Sequence, residues 1–119
     1  MSIAKALDPH VSRELSAAAT AQQSADLATA WLHLERAHIL SQPAAWLHTR
    51  VHLAMLALAI RQVDVREIFG QLLRAAVAGI GSMTGRFPLG NTGRARVPIM
   101  KPMPIADDLA RLLEEAKGV

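Results

Sequence analysis

The sequence predicts an all-α protein: four antiparallel helices arranged as two helical hairpins, a long ordered Gly/Pro-rich loop and a short C-terminal helix. Three observations carry this expectation. Hydrophobic residues make up 51% of 119 residues and charged residues 19%, so one domain spanning 1–119 has material for one core. Only two Trp, two Phe and no Tyr accompany abundant Ala and Leu, a balance that suits helix-on-helix packing better than sheets. Apolar residues also recur at helical rather than alternating spacing.

Asp8-Pro9 reads as an N-cap followed by proline at the first helical position, opening a helix over about 9–21. Ser24 caps a second helix, about 25–40, on which Leu27, Trp31, Leu34 and His38 share a face. Ser41-Gln42-Pro43 breaks the chain, and a third helix over about 44–61 is apolar almost all round, which places it at the centre. Asp64 and Glu67, at capping-box spacing, open a fourth helix over about 65–77. The short junctions make consecutive helices antiparallel. From 79 to 104 interleaved glycines and prolines forbid a long helix. Ile80, Met83, Phe87, Leu89, Val97, Ile99, Met100 and Met103 offer that loop apolar anchors. Leu109, Leu112 and Leu113 give the closing helix, about 107–117, its packed side.

Several function classes fall away. Without cysteine there are no disulfides, thiolate metal sites or cysteine nucleophiles. A net charge of +3 does not announce a nucleic-acid binder, and Phe87 alone offers the basic loop no stacking platform. The longest strongly apolar stretch, Val51 to Ile60, is far short of the roughly 20 residues needed to span a membrane. The N-terminal residues lack the apolar run of a secretion signal, so the expected address is the cytoplasm.

Four of the five histidines, His33, His38, His48 and His52, fall within one short segment. Glu35 and His38 share a face of the second helix, and His48 and His52 share a face of the third. Hairpin register sets His38 opposite His48, and Glu35 level with Val51 and His52. If both faces point inward, Glu35, His38, His48 and His52 form a box for a divalent transition metal: zinc, iron, nickel or copper. His33 lies roughly 200° round the helix from Glu35 and stays outside. The competing reading leaves the histidines bonded to one another, to Glu35 or to backbone, with Arg36 or Arg50 pairing the acid. Acid–base catalysis is a third. The spacing of His33, Glu35 and His38 does not match a zincin, and a zinc deaminase would need cysteines.

Gly85 to Thr92 has the glycine spacing of a P-loop but carries Asn91 where lysine is required. Arg86, Asn91, Thr92 and Arg94 remain candidates for binding an anion or a partner through a backbone nest, against the plainer reading of turn residues with solvated arginines.

The segments Trp31-Leu-His-Leu-Glu-Arg-Ala-His38-Ile-Leu-Ser-Gln42 and Gly85-Arg-Phe-Pro-Leu-Gly90-Asn-Thr-Gly-Arg94, with Lys101-Pro-Met-Pro-Ile105 behind them, resemble a family of short bacterial proteins of unknown function. The resemblance implies a small autonomous protein and brings no catalytic residues with it. The hairpin around Trp31, Leu34 and Ala37 is also similar to a tetratricopeptide unit, although one pair of hairpins is too few for a solenoid groove. The functional expectation is a metal-binding protein for storage, sensing or structural support, with the question of catalysis left open. A tetratricopeptide-like interaction module with packed histidines is the alternative. A protein partner or a homo-oligomer is compatible with either.

Overall fold

The structure is a computed structural model and describes residues 2–118. Five helices follow in order: α1 (Ile3–Gln23), α2 (Leu27–Ser41), α3 (Ala45–Arg61), α4 (Val65–Thr84) and α5 (Asp107–Lys117). No strand occurs among the described residues. α1 packs along α2 and α3 along α4, two hairpins that meet less extensively through α2 and α3, while α5 closes over α1 and α2. The all-α class and the paired hairpins are therefore as the sequence implied.

Side-chain caps set the starts of α1, α2 and α4: Ser2, Asp26 and Asp64 accept from Lys5, Thr29 and Glu67 backbone N–H groups respectively. Each such cap typically stabilises by about 1 kcal/mol. Helix α1 starts at Ile3 and not near residue 9, so Pro9 lies inside it instead of at its first position. Proline there leaves the Lys5 carbonyl without an N–H donor; both residues are exposed, so the loss falls on the solvent side. Leu7 and Val11, fully buried on either side of Pro9, hold the helix to the core.

Helix α4 also runs further than expected, through Gly79 and Gly81 to Thr84, because docking along α3 outweighs the low helix propensity of two glycines. It stops at Gly85, whose φ of 73° supplies the left-handed C-cap while Arg86 N–H returns to the Gly81 carbonyl at 2.9 Å.

The core joins α1, α2, α3 and α5 through Leu7, Val11, Leu34, Leu40, Met55 and Leu113. Helix α3 is not enclosed on every side: Val51, Met55 and Leu58 are buried, but Trp46, Leu53 and Ile60 are exposed. On α4 the usual arrangement is inverted. Its buried face carries Glu67, Gln71, Arg74, Ala78 and Ser82, and its large apolar side chains face out, apart from Ile68, which packs against the core.

The segment between α4 and α5 is held by polar contacts as well as by part of the apolar anchors the sequence suggested: Phe87, Val97 and Met103 are half-buried, whereas Leu89, Ile99 and Met100 are exposed. Gln42 donates to the Pro88 carbonyl and accepts from Gly90 N–H, both at 2.9 Å. The Asn91 amide donates to the Pro98 and Lys101 carbonyls, and Arg74 donates to Val97. These bonds lay the segment across the α2–α4 side of the molecule, over the histidines.

Candidate metal centre

His38 comes from α2, and His48 and His52 stand one turn apart on α3. Their exposures are 3%, 6% and 2%. The three Nε2 atoms form a nearly equilateral triangle: 3.0 Å between His38 and His48, 3.1 Å between His38 and His52, and 3.2 Å between His48 and His52.

The outer nitrogens determine what those inner ones are. His38 Nδ1 lies 2.7 Å from the Asn91 carbonyl, which can only accept, so this Nδ1 carries the proton. His52 Nδ1 lies 2.7 Å from Gln71 Oε1. The Gln71 amide cannot usefully flip, because its nitrogen donates to Glu67 at 3.0 Å and to the Gly93 carbonyl at 2.9 Å. His48 Nδ1 lies 2.9 Å from Ser82 Oγ, whose own proton goes to the Gln42 carbonyl at 2.6 Å. Each neutral ring is thus assigned by this network as the Nδ1–H tautomer. Three Nε2 lone pairs therefore converge with no proton among them, and the short distances between them are not hydrogen bonds of neutral rings.

Protonation does not readily relieve the clash. Burial, followed by the charges of His52 and His48, holds His38 well below the usual histidine range. Burial first and His52 second lower His48 to about 3. His52 is lowered to about 4, chiefly by burial and also by Arg74, against the opposing hydrogen bond from Gln71.

A cavity of about 80 Å³ adjoins the rings, bounded also by Arg74, Val77, Phe87 and Met100. It is large enough for several waters or one small ligand. The Gly93 backbone seals the other side of His38: a Cβ there would lie 2.7 Å from the His38 ring, and the φ of 84° independently favours glycine.

The structure brings together His38, His48 and His52 and leaves Glu35 apart. Glu35 accepts from Arg94 at 3.2 Å and belongs to no cluster with the histidines. Arg94 also binds the fully buried Glu67 at 2.7 Å and lies 3.7 Å above the Trp31 ring. The competing partners proposed for Glu35 go elsewhere: Arg36 pairs with Glu14 and Asp108, and Arg50 with Asp8. His33, as expected, lies outside and meets Glu14 at 2.7 Å.

Of the four residues considered for an anion, Asn91 and Arg94 direct their side-chain donors to partners within the protein. Thr92 Oγ1 is buried without a hydrogen-bond partner, and Arg86 is exposed beside the cavity.

Sequence reasoning missed Gln71, Ser82 and Glu67, which orient the site from α4. Their signal was available: positions 67, 71, 74, 78 and 82 repeat at helical spacing, and four of the five are polar in an otherwise apolar helix.

Fold and site together define a small helical protein with a buried, hydrogen-bond-oriented tri-histidine cluster. Residues 5–113 match the family described as "Protein of unknown function (DUF3703)", and the chain belongs to that family. No curated protein and no solved structure matches the chain. No helix of the described residues is long and apolar enough to cross a membrane.

Proposed function

We propose that this protein binds one divalent transition metal through His38, His48 and His52 Nε2. The convergence of three lone pairs from rings whose Nδ1 protons are all directed outward carries this reading. Neutral imidazoles need lose no proton to bind a cation, so metal uptake is not opposed by proton release at neutral pH. For a metal–nitrogen distance of about 2.0–2.1 Å, tetrahedral angles would put the nitrogens roughly 3.3–3.4 Å apart and right angles about 2.9 Å. The observed 3.0–3.2 Å lies between these limits.

His38, His48 and His52 would supply three of the ion's ligands and leave at least one further coordination position. The adjoining cavity provides room for that ligand. A site with an open position has the pattern of exchangeable or catalytic metal binding, not of a closed four-ligand structural site. Three neutral nitrogen donors suit zinc, iron, nickel or copper(II), and the lack of thiolate disfavours softer ions. The reading takes the cytoplasm as the compartment.

Elemental analysis of tag-free protein, with metal titration of the wild type and of His48→Ala/His52→Ala, tests it. The expected result is close to one metal per chain, lost in a variant whose helical circular dichroism persists. Absence of metal together with no thermal shift on adding zinc, iron, nickel or copper would overturn it. The tetratricopeptide-like interaction module, with histidines that only pack, would then lead.

A further inference from the structure

Helix α4 buries its polar face and exposes its apolar one. Phe69, Leu72, Leu73, Val77, Ile80 and Met83 are 68, 49, 57, 41, 66 and 80% exposed and recur at helical spacing. Helical periodicity usually turns such a stripe inward. Here the inward side is occupied by Glu67, Gln71 and Ser82, which are tied to the histidines and Arg94. Rotating α4 to hide the stripe would strip Nδ1 partners from His48 and His52, so burial of the stripe must come from outside the chain.

We propose that a second copy of this chain covers the face, α4 packing antiparallel on α4 about a two-fold axis. Area is the first argument for that occupant. At roughly 150–200 Å² per large side chain, these six exposures amount to about 650 Å² of apolar surface. That lies at the top of the range for the largest patch of a typical monomer, about 300–600 Å², and approaches the roughly 800 Å² each partner gives a standard interface. Charge is the second. After Arg66 the only charged residues of α4 are Glu67 and Arg74, and both are buried. The stripe itself is uncharged, and a second copy brings the same apolar surface, with Arg66 and Arg96 at its border beside Leu73. An isologous two-fold contact requires such self-complementarity. Because Arg66 and Arg96 border the stripe, an anionic lipid surface is the competing occupant, which vesicle binding separates.

Ala76, small and exposed near the middle of the stripe, lies where the two helices would cross closely. Val77 belongs both to this face and to the wall of the histidine cavity, so the second copy would border that cavity. Dimerisation does not depend on a bound metal.

Sedimentation analysis at micromolar concentration is expected to give twice the 12.8 kDa chain mass. Phe69→Glu/Leu73→Glu should halve that mass while leaving the helical signal unchanged. The chain lacks cysteine, so Ala76→Cys alone should oxidise to a covalent dimer. Arg111→Cys, on α5 and away from α4, should not. The crosslink decides the matter if the glutamate variant fails to fold. A wild-type monomer at tens of micromolar, a dimer that Phe69→Glu/Leu73→Glu leaves intact, or an Ala76→Cys chain that stays uncrosslinked would each overturn the proposal. So would a monomer that instead binds phosphatidylcholine–phosphatidylglycerol vesicles through this face.

Discussion

Gln71 Oε1 accepts from His52 Nδ1 at 2.7 Å, and this contact directs the unprotonated nitrogen of His52 toward the other two histidines. The glutamine is itself held by Glu67 and by the Gly93 carbonyl, so a buried carboxylate on α4 acts on α3 through one amide. Partners of this kind orient an imidazole and raise its basicity toward a metal. Gln71→Leu should therefore weaken zinc affinity by about 10–100-fold, measured by competition with a chromogenic chelator. Retained helicity with unchanged affinity would show that packing alone orients His52.

Gly93 governs the neighbouring ring from the other side. An alanine Cβ would collide with His38 at 2.7 Å, in a backbone conformation that already disfavours side chains. Gly93→Ala is expected to destabilise the protein by about 1–3 kcal/mol in urea unfolding and to lower metal affinity as His38 shifts. An unaltered unfolding midpoint would mean that the loop yields freely.

Acid should destabilise the metal-free protein. The three histidines are neutral when folded, with pKa values driven below the ordinary 6.5. The unfolded chain takes up their protons first, so stability is fully present above about pH 6.5 and declines as pH falls toward 4. Each histidine contributes a slope of up to about 1.4 kcal/mol per pH unit. Urea midpoints between pH 8 and 4.5 are expected to fall steeply only below about 6.5, and His48→Ala/His52→Ala should flatten the decline. An equal decline in that variant would assign the effect to other groups.

Glu35 gives the opposite expectation. Its carboxylate belongs to Arg94, and both side chains are about one-quarter exposed. Glu35→Gln should leave zinc affinity within about twofold and cost less than about 1 kcal/mol of stability. A tenfold loss of affinity would return Glu35 to the ligand set.

The histidine trio was legible because helical period and hairpin register are local rules. His48 and His52 are four apart on α3, and the turn at Pro43 brings His38 level with them. Those same rules fix the level of Glu35 but not its rotation against everything else that packs there. Arg94, 59 residues further along, captures it instead. The start of α1 was misjudged because Asp8-Pro9 is a strong local signal, whereas the core contacts of Leu7 and Val11 are not local.

By itself the sequence determined that this chain is helical, where the turns between its first four helices fall, and that His38, His48 and His52 come within reach of one another. Tertiary structure decided which nitrogens face inward, because the acceptors lie on α4 and on the segment after it. It also decided that α4 turns its polar side in. Periodicity shows that a helix has two unlike faces, but which face is buried depends on the groups waiting across the interface. Here those groups are imidazole protons and the Arg94 guanidinium, and they need oxygen atoms more than the core needs another apolar stripe.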